Sequence, residues 1–430
     1  MHRLWISLVV LSAVFSCKMA DTGTGSVSGR VVRYGSELPM SGVNVVYGDS
    51  IILTDSNGEY LFEGIPENLQ GIRFLSDGYY PLFRQVKVLR DNVVTCDVEL
   101  EAVPSAWAVG SIDSEYGTIL YSSDCGHTWI RQGGQSSIPS VNLNDVCAVT
   151  DRICWAVGDF DSFGNTPVIL NTADGGQTWT NQGRSLSLET GISLGSVLAR
   201  DSDTVWAAAS DAGVVLRTGN GGKQWEVVLE SERMEYFTAI SSPDGYNVWC
   251  CGKSIGGGAA VEFTSDGGRT WKFVQLPGLS EFQTASDIYA VNSEEIYVCG
   301  TNAMGLFRSR DGGETWTKVE SMPSVAGLRS MDCVSGSLFW LLQDGGIVYS
   351  TADAFGTVRS VPAADASYSD GTASAVDFMR DGSTGVLSVL SGSGSTGAIY
   401  FTEDGGISWL PADIPFGFAI YAMDFVGGFN

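Results

Sequence analysis

The chain has 430 residues, with 49 acidic side chains against 24 basic ones and a formal net charge of −25. An apolar fraction of 44% and 12 tryptophans exclude a disordered polyelectrolyte. The acidity excludes a nucleic-acid binder, which needs basic surface, and disfavours docking to anionic head groups. It fits an acidic exported protein; a dedicated cation-binding surface is the alternative.

The first 17 residues read as an export signal. His2 and Arg3 make a short basic start, residues 4–15 are apolar, and Ser16-Cys17 follows. The apolar run is too short to span a bilayer and suits a signal h-region. Val14-Phe15-Ser16-Cys17 resembles a relaxed bacterial lipobox. The resemblance implies cleavage before Cys17 and lipid on its thiol, and hence a protein of the bacterial cell envelope anchored to the outer membrane. Ordinary secretion is the alternative. Residues 18–25 are polar and rich in Gly and Thr, a tether off the membrane.

Residues 26–103 carry no tryptophan. Short alternating segments at 27–32, 42–47, 54–62, 71–75, 85–89 and 93–100, separated by turns, predict a β-sandwich. Asp55-Ser-Asn-Gly58 has the start of a calcium loop without its remaining ligands, so it reads as a hairpin turn. With Gly29-Arg-Val31, Gly42-Val-Asn-Val45, Ser76-Asp-Gly-Tyr79 and Val98-Glu-Leu100, the stretch resembles the carboxypeptidase-regulatory-like (transthyretin-like) domain. Such modules serve as spacers or docking units.

From residue 104 onward one pattern recurs. Residues 264–271 read TSDGGRTW; the copies are 122–129 (SSDCGHTW), 172–179 (TADGGQTW), 218–225 (TGNGGKQW), 309–316 (SRDGGETW), 402–409 (TEDGGISW) and a worn one at 350–358 (STADAFGTV). The acidic position falls at Asp124, Asp174, Asn220, Asp266, Asp311, Asp353 and Asp404, at steps of 42 to 51 residues. A period of that size is where propeller blades lie. About 20 residues upstream of the acid, each unit carries a second signature: Trp107-Ala-Val-Gly110, Trp155-Ala-Val-Gly158, Trp206-Ala-Ala-Ala209, Trp249-Cys-Cys-Gly252 and Tyr297-Val-Cys-Gly300, with worn versions at Trp340 and Gly385. One unit therefore reads strand, strand, strand, tight turn, strand, which is a four-stranded blade. Gly-Gly supplies the φ > 0 of the turn, the Asp ahead of it accepts backbone N–H groups, and the Trp buries a large face between blades.

These motifs resemble the Asp-box (BNR) repeat family, and the pairing of WAVG with DGGxTW is most similar to the photosystem II stability/assembly-factor-like propellers. That resemblance implies seven blades, no catalysis, and a structural role for the seven box positions. Asn220, Cys125 in place of the first glycine, and Val358 in place of the tryptophan depart from the pattern. The first unit begins at its second strand, and residues 419–426 look like a first strand with nothing after it. The C-terminal strand is therefore expected to complete blade one and close the ring, leaving no open edge. The fold class is all-β: a seven-bladed propeller over 104–430, preceded by the sandwich.

Chemistry is mostly excluded. After the leader the chain has a single histidine, His127, inside the first box, where it reads as an exposed turn residue. No metal-ligand spacing and no phosphate-binding glycine loop is present, so neither metal nor cofactor is expected. Cys154, Cys250, Cys251 and Cys299 read as core thiols; Cys147 and Cys154 flank a hairpin, and a disulfide between them stays open. The rival to a binding protein is a glycoside hydrolase of sialidase or xyloglucanase type, because Asp boxes also occur there. Such an enzyme needs two carboxylates flanking a cleft, which this many acids always supply.

The boxes join third and fourth strands and so share one face. Loops between second and third strands, and between blades, share the other, which is the candidate ligand face. Its most conspicuous segment is 159–165, with Asp159, Phe160, Asp161 and Phe163; Tyr116 lies on a neighbouring loop. The expected function is a non-catalytic scaffold or assembly factor that docks an envelope protein, or a glycan as the second choice.

Overall fold

The computed structural model describes residues 23–426 except 35–37, 77–78, 102, 113–114, 135–136, 162–165, 187–190, 324–326, 363–371, 392–395 and 416. The leader with Cys17, most of the tether and Phe163 lie outside these residues. The chain divides into two compact units at Val103/Pro104.

The first unit has eight strands: β1 Thr24–Arg33, β2 Asn44–Tyr47, β3 Ser50–Leu53, β4 Glu59–Pro66, β5 Asn68–Leu75, β6 Leu82–Val88, β7 Val93–Thr95 and β8 Val98–Leu100. One sheet runs β4-β1-β7 with β8 also on β1, and the other runs β3-β2-β5-β6. Strict alternation sends Tyr60 and Phe62 of β4 inward and Glu59, Leu61 and Glu63 outward. The inward set meets Val31, Val45, Ile72 and Phe74 in a core between the sheets. Two local expectations are corrected. Residues 93–100 are two strands, parallel to β1 and broken at Cys96-Asp97, because Asp97 turns to accept the Arg30 N–H. Residues 55–58 are no hairpin, since β3 and β4 belong to different sheets. Asp55 instead caps a crossing loop, its Oδ1 accepting the N–H groups of Asn57 and Glu59 at 2.8 Å each.

The second unit contains seven four-stranded antiparallel sheets. Blade 2 is representative, with Leu143–Ala148, Cys154–Asp161, Thr166–Thr172 and Thr180–Asn181 in spatial order. Blades 3 to 7 span 194–230, 234–275, 285–318, 328–362 and 372–411. Blade 1 takes Ala106–Ile112, Gly117–Ser122 and Ile130–Arg131 from its own repeat, and Ile420–Phe425 from the chain's end. Ile420–Phe425 also packs against the first strands of blades 2 and 7, so first strands surround the axis in an unbroken sequence. The second strands are apolar on both faces, as in Trp107-Ala-Val-Gly110, because each is covered by a neighbouring blade on either side.

Candidate functional site

The seven boxes share one hydrogen-bond pattern. At Asp266, Oδ1 accepts from the Thr264 hydroxyl (2.8 Å) and the Thr270 N–H (2.9 Å), and Oδ2 accepts from the Thr270 hydroxyl (2.6 Å). The Thr264 Oγ1 in turn accepts the N–H of Gly268 at 3.0 Å. The same bonds recur at Asp124, Asp174, Asp311, Asp353 and Asp404; at Asn220 the last partner is Gln224 through its N–H alone. These bonds, led by the Thr270 hydroxyl, hold the Asp266 carboxyl down to about 2. Both oxygens of each box carboxyl therefore bond within their own turn.

The second glycine of the box has a further reason to be glycine. At Gly176 a Cβ would lie 2.9 Å from the ring of Trp107 in the preceding blade, and at Gly313 2.8 Å from Nε1 of Trp249. The box tryptophan then meets that same upstream ring edge to face: Trp179 on Trp107 at 5.6 Å, Trp225 on Trp155 at 6.0 Å, Trp271 on Trp206 at 6.3 Å. Blade 6 breaks the rule and repairs it. Val358 replaces the tryptophan, but Phe355 stands where the second glycine belongs, with φ +71° and only 4% exposure. Its ring lies 5.5 Å from Tyr297 and 5.0 Å from Phe339. The upstream residue is Tyr297 where most blades have Trp, and the box phenylalanine occupies the slot between the blades.

A second set of carboxylates, unnoticed in the sequence, lies on the first strands around the axis. Each interface between blades is clasped by a side chain that accepts a backbone N–H from the next blade's first strand. The pairs are Asp424 with Ala148 (2.6 Å), Asp145 with Val197 (2.8 Å), Asp287 with Met331 (2.7 Å), Asp332 with Phe378 (2.7 Å) and Asp377 with Phe425 (2.6 Å). The two remaining interfaces use hydroxyls: Ser196 accepts from Ile240 at 3.3 Å and Ser241 from Ala290 at 3.0 Å. Strand register splits the carboxylates into two tiers, with Asp145 and Asp287 opposite Val157 and Cys299, and Asp332 and Asp424 opposite Trp340 and Trp107 two residues further along. Burial pushes Asp145 up to about 6 and Asp287 up to about 7, against the hydrogen bonds that favour their charged forms. Burial also raises Asp332, Asp377 and Asp424, and the last two are raised further by neighbouring carboxylates. Asp145, Asp287 and Asp332 each give their other oxygen to their own strand, at Val146, Ile288 and Cys333. Both oxygens of these three thus hold backbone N–H groups, one on their own strand and one on the next blade.

The tier of Asp145 and Asp287 opens into a cavity of about 410 Å³ lined by residues of all seven blades, among them Asp145, Ser196, Ser286, Arg329, Ser374 and Tyr421. Its lining is mostly polar. Arg329 at the rim is bonded to Asp344, and Thr284 and Thr301 share a hydroxyl bond at 2.8 Å. Among the described residues no group of three or more His, Cys, Asp or Glu is arranged to hold a metal ion.

The candidate loop residues are placed as follows. Asp159 accepts from the side-chain amides of Asn142 and Asn144 at 3.0 Å each, and Asn144 also donates to the Leu194 carbonyl of blade 3, so Asp159 ties the rim of blades 2 and 3. Phe160 is 37% exposed, and Asp161 ends the strand opposite Thr166. Tyr116 is half-buried under the Arg131 guanidinium, 4.0 Å from its ring centre. His127 is not a free turn residue: its ring sits 4.0 Å from that of Phe401 and its Nε2 lies 3.2 Å from Glu403, across the seam between blades 1 and 7. Cys147 and Cys154 are separate thiols; Cys147 accepts the Ala199 N–H at 3.3 Å and adds to the clasp between blades 2 and 3.

Residues 250–395 match the family model described as "Photosynthesis system II assembly factor YCF48". The fold is similar to that of a structure described as YCF48 bound to D1 peptide, at 18% identity and a TM-score of 0.51, covering 70% of this chain and 94% of that one. YCF48 from Cyanidioschyzon merolae matches at 18% identity and a TM-score of 0.41, covering 75% and 96%. No curated protein matches the chain.

Proposed function

We propose that the chain is a non-catalytic docking propeller that holds a segment of a partner protein at the mouth of its central channel. The observation that carries this reading is the mouth itself: seven blades converge on one polar cavity whose acids are committed to holding the blades together. A cavity so built offers fixed hydrogen-bonding groups, hydroxyls among them, to a segment that enters it. The match of 250–395 to an assembly-factor family supports it, as does a fold shared with a propeller that binds a peptide. In this reading the leader ends in lipid attachment at Cys17, the chain works in the bacterial envelope, and the N-terminal sandwich is a carboxypeptidase-regulatory-like spacer.

The test is crosslinking on intact cells, with recovery of the full chain and of a double variant, Arg329→Glu with Tyr421→Ala. One stoichiometric protein partner, recovered with the parent chain and lost with the variant at unchanged melting temperature, is the expected outcome. Equal recovery with both chains refutes the mouth as the docking site. Release of reducing sugar from a polysaccharide panel refutes the non-catalytic reading.

A further inference from the structure

The sandwich presents an apolar surface at the end where the tether enters. Gly23 accepts the Glu67 N–H at 2.9 Å and Thr24 accepts the Asp91 N–H at 3.0 Å, so the chain arrives between the β4–β5 and β6–β7 turns. Around that point three aliphatic side chains face solvent: Leu69 at 61% exposure, Leu89 at 49% and Val93 at 61%. Lys87 pairs with Leu69 across the sheet, and Val93 pairs with Ser26 of β1. Lys87 and Arg90 stand here with Glu63, Glu67 and Asp91, and Arg90 and Asp91 form an ion pair at 3.7 Å. Two bases against three acids make this end less acidic than the chain as a whole, which has about twice as many acids as bases.

We infer that this end of the sandwich rests on the bilayer surface, with Leu69, Leu89 and Val93 seated among the head groups. The inference depends on the reading of Cys17 as a lipid anchor, because the anchor selects a membrane as the occupant. Six residue steps separate Cys17 from Gly23, so the extended tether reaches about 20 Å at most. An anchored chain must therefore keep this end, and no other part of the sandwich as readily, within reach of the head groups. Aliphatic side chains beside Lys87 and Arg90 suit that boundary, whereas the more acidic remainder of the chain is repelled from it.

The test uses the full chain purified from its native membranes. Amine labelling followed by mass spectrometry reads Lys87, with the exposed Lys223 and Lys318 of the propeller as references. Labelling is compared in detergent and on vesicles of phosphatidylethanolamine with about one quarter phosphatidylglycerol. Expected is an acyl-modified Cys17 peptide and at least about fivefold slower labelling of Lys87 on vesicles, with the references unchanged. The double variant Leu69→Glu with Leu89→Glu alters exposed positions only and is expected to abolish that protection. An acylated Cys17 with Lys87 labelled equally in both settings overturns the contact and leaves the anchor standing. Protection of Lys87 in detergent, which means another part of the chain or a second copy covers it, overturns the contact, as does protection that survives the double variant. An unmodified Cys17 with Lys87 still protected on vesicles overturns the anchor and supports the contact. An unmodified Cys17 without protection overturns both.

Discussion

Phe355 supplies the sharpest test of how the blades are joined. Phe355→Gly restores the repeat pattern at a position where the residue present holds φ at +71°. A reading based on the repeat predicts a gain, since relief of left-handed strain is worth about 1–2 kcal/mol. The structure predicts a loss. Phe355 is 4% exposed between Tyr297 and Phe339, and emptying a buried phenylalanine site costs about 3–5 kcal/mol. Glycine adds backbone entropy to the unfolded chain, about 1 kcal/mol. The expected net is a destabilisation of about 3 kcal/mol, a fall of several degrees in melting temperature for a unit of this size. The double variant Phe355→Gly with Val358→Trp rebuilds the arrangement of the other blades and is expected to recover at least half of the loss. Urea denaturation followed by tryptophan fluorescence measures both. A neutral or stabilising Phe355→Gly refutes the claim that this ring replaces the missing tryptophan.

The other expectations concern the two sets of acids and the ring. Carboxyls with a raised folded pKa favour the fold when protonated. Asp145 and Asp287 thus contribute fully below the unfolded value of 3.8 and lose that contribution as pH rises through about 6 and 7. The loss is at most about 3 kcal/mol for Asp145 and about 4 kcal/mol for Asp287, less whatever channel water returns. The box carboxyls have the opposite sign, contributing above 3.8 and losing it as pH falls, toward about 2 for Asp266. Denaturation midpoints should therefore peak near pH 4–5 and decline toward pH 8; a flat or rising profile over that interval refutes the channel assignment. Asp287→Ala strands the N–H groups of Met331 and Ile288 and should cost about 2 kcal/mol at pH 5, and less at pH 8 where the charge it removes is itself unfavourable. Deleting 419–430 removes the strand paired with Ala106–Ile112 and should abolish cooperative unfolding of the propeller, read by calorimetry. Gly313→Ala should cost about 3 kcal/mol, from a left-handed φ and a Cβ driven into Trp249.

What the sequence displayed was whatever repeats in one place. The seven boxes, the buried second-strand tryptophans and the all-β class are local signals, each written within eight or so residues, and the structure shows the corresponding blades. The compensation in blade 6 was not legible, because Phe355 replaces a residue three positions away and only the common slot reveals the exchange. The channel clasps were half visible. An Asp recurs on five of the seven first strands, at 145, 287, 332, 377 and 424, but its partner is a backbone N–H of the next blade, 44 to 52 residues on for the first four and 276 residues back for Asp424. Backbone donors leave no mark in a sequence. The two tiers hide the pattern further, since a shift of two residues keeps the side chain on the same face while spoiling alignment of the repeats. The hairpin assigned to 55–58 failed for a related reason: turn chemistry says that the chain reverses, and only the sheets say where it goes.

The acids thus carry separate tasks, and this changes the meaning of the charge. Box carboxyls are held ionised by their own turns, each oxygen accepting at least one bond there. Channel carboxyls are buried, raised, and bonded to the neighbouring blade. Near neutral pH part of the latter set is protonated, so the formal −25 overstates the charge that a partner meets. Among the described residues, the acids that converge on the channel do so by joining the blades, which weakens the argument for a cation-binding surface drawn from that total. In the proposed docking role, recognition falls to the polar rim of the channel and to the loops around it, where Asp159, Arg329 and Tyr421 stand on strands and where the repeats differ most from one another.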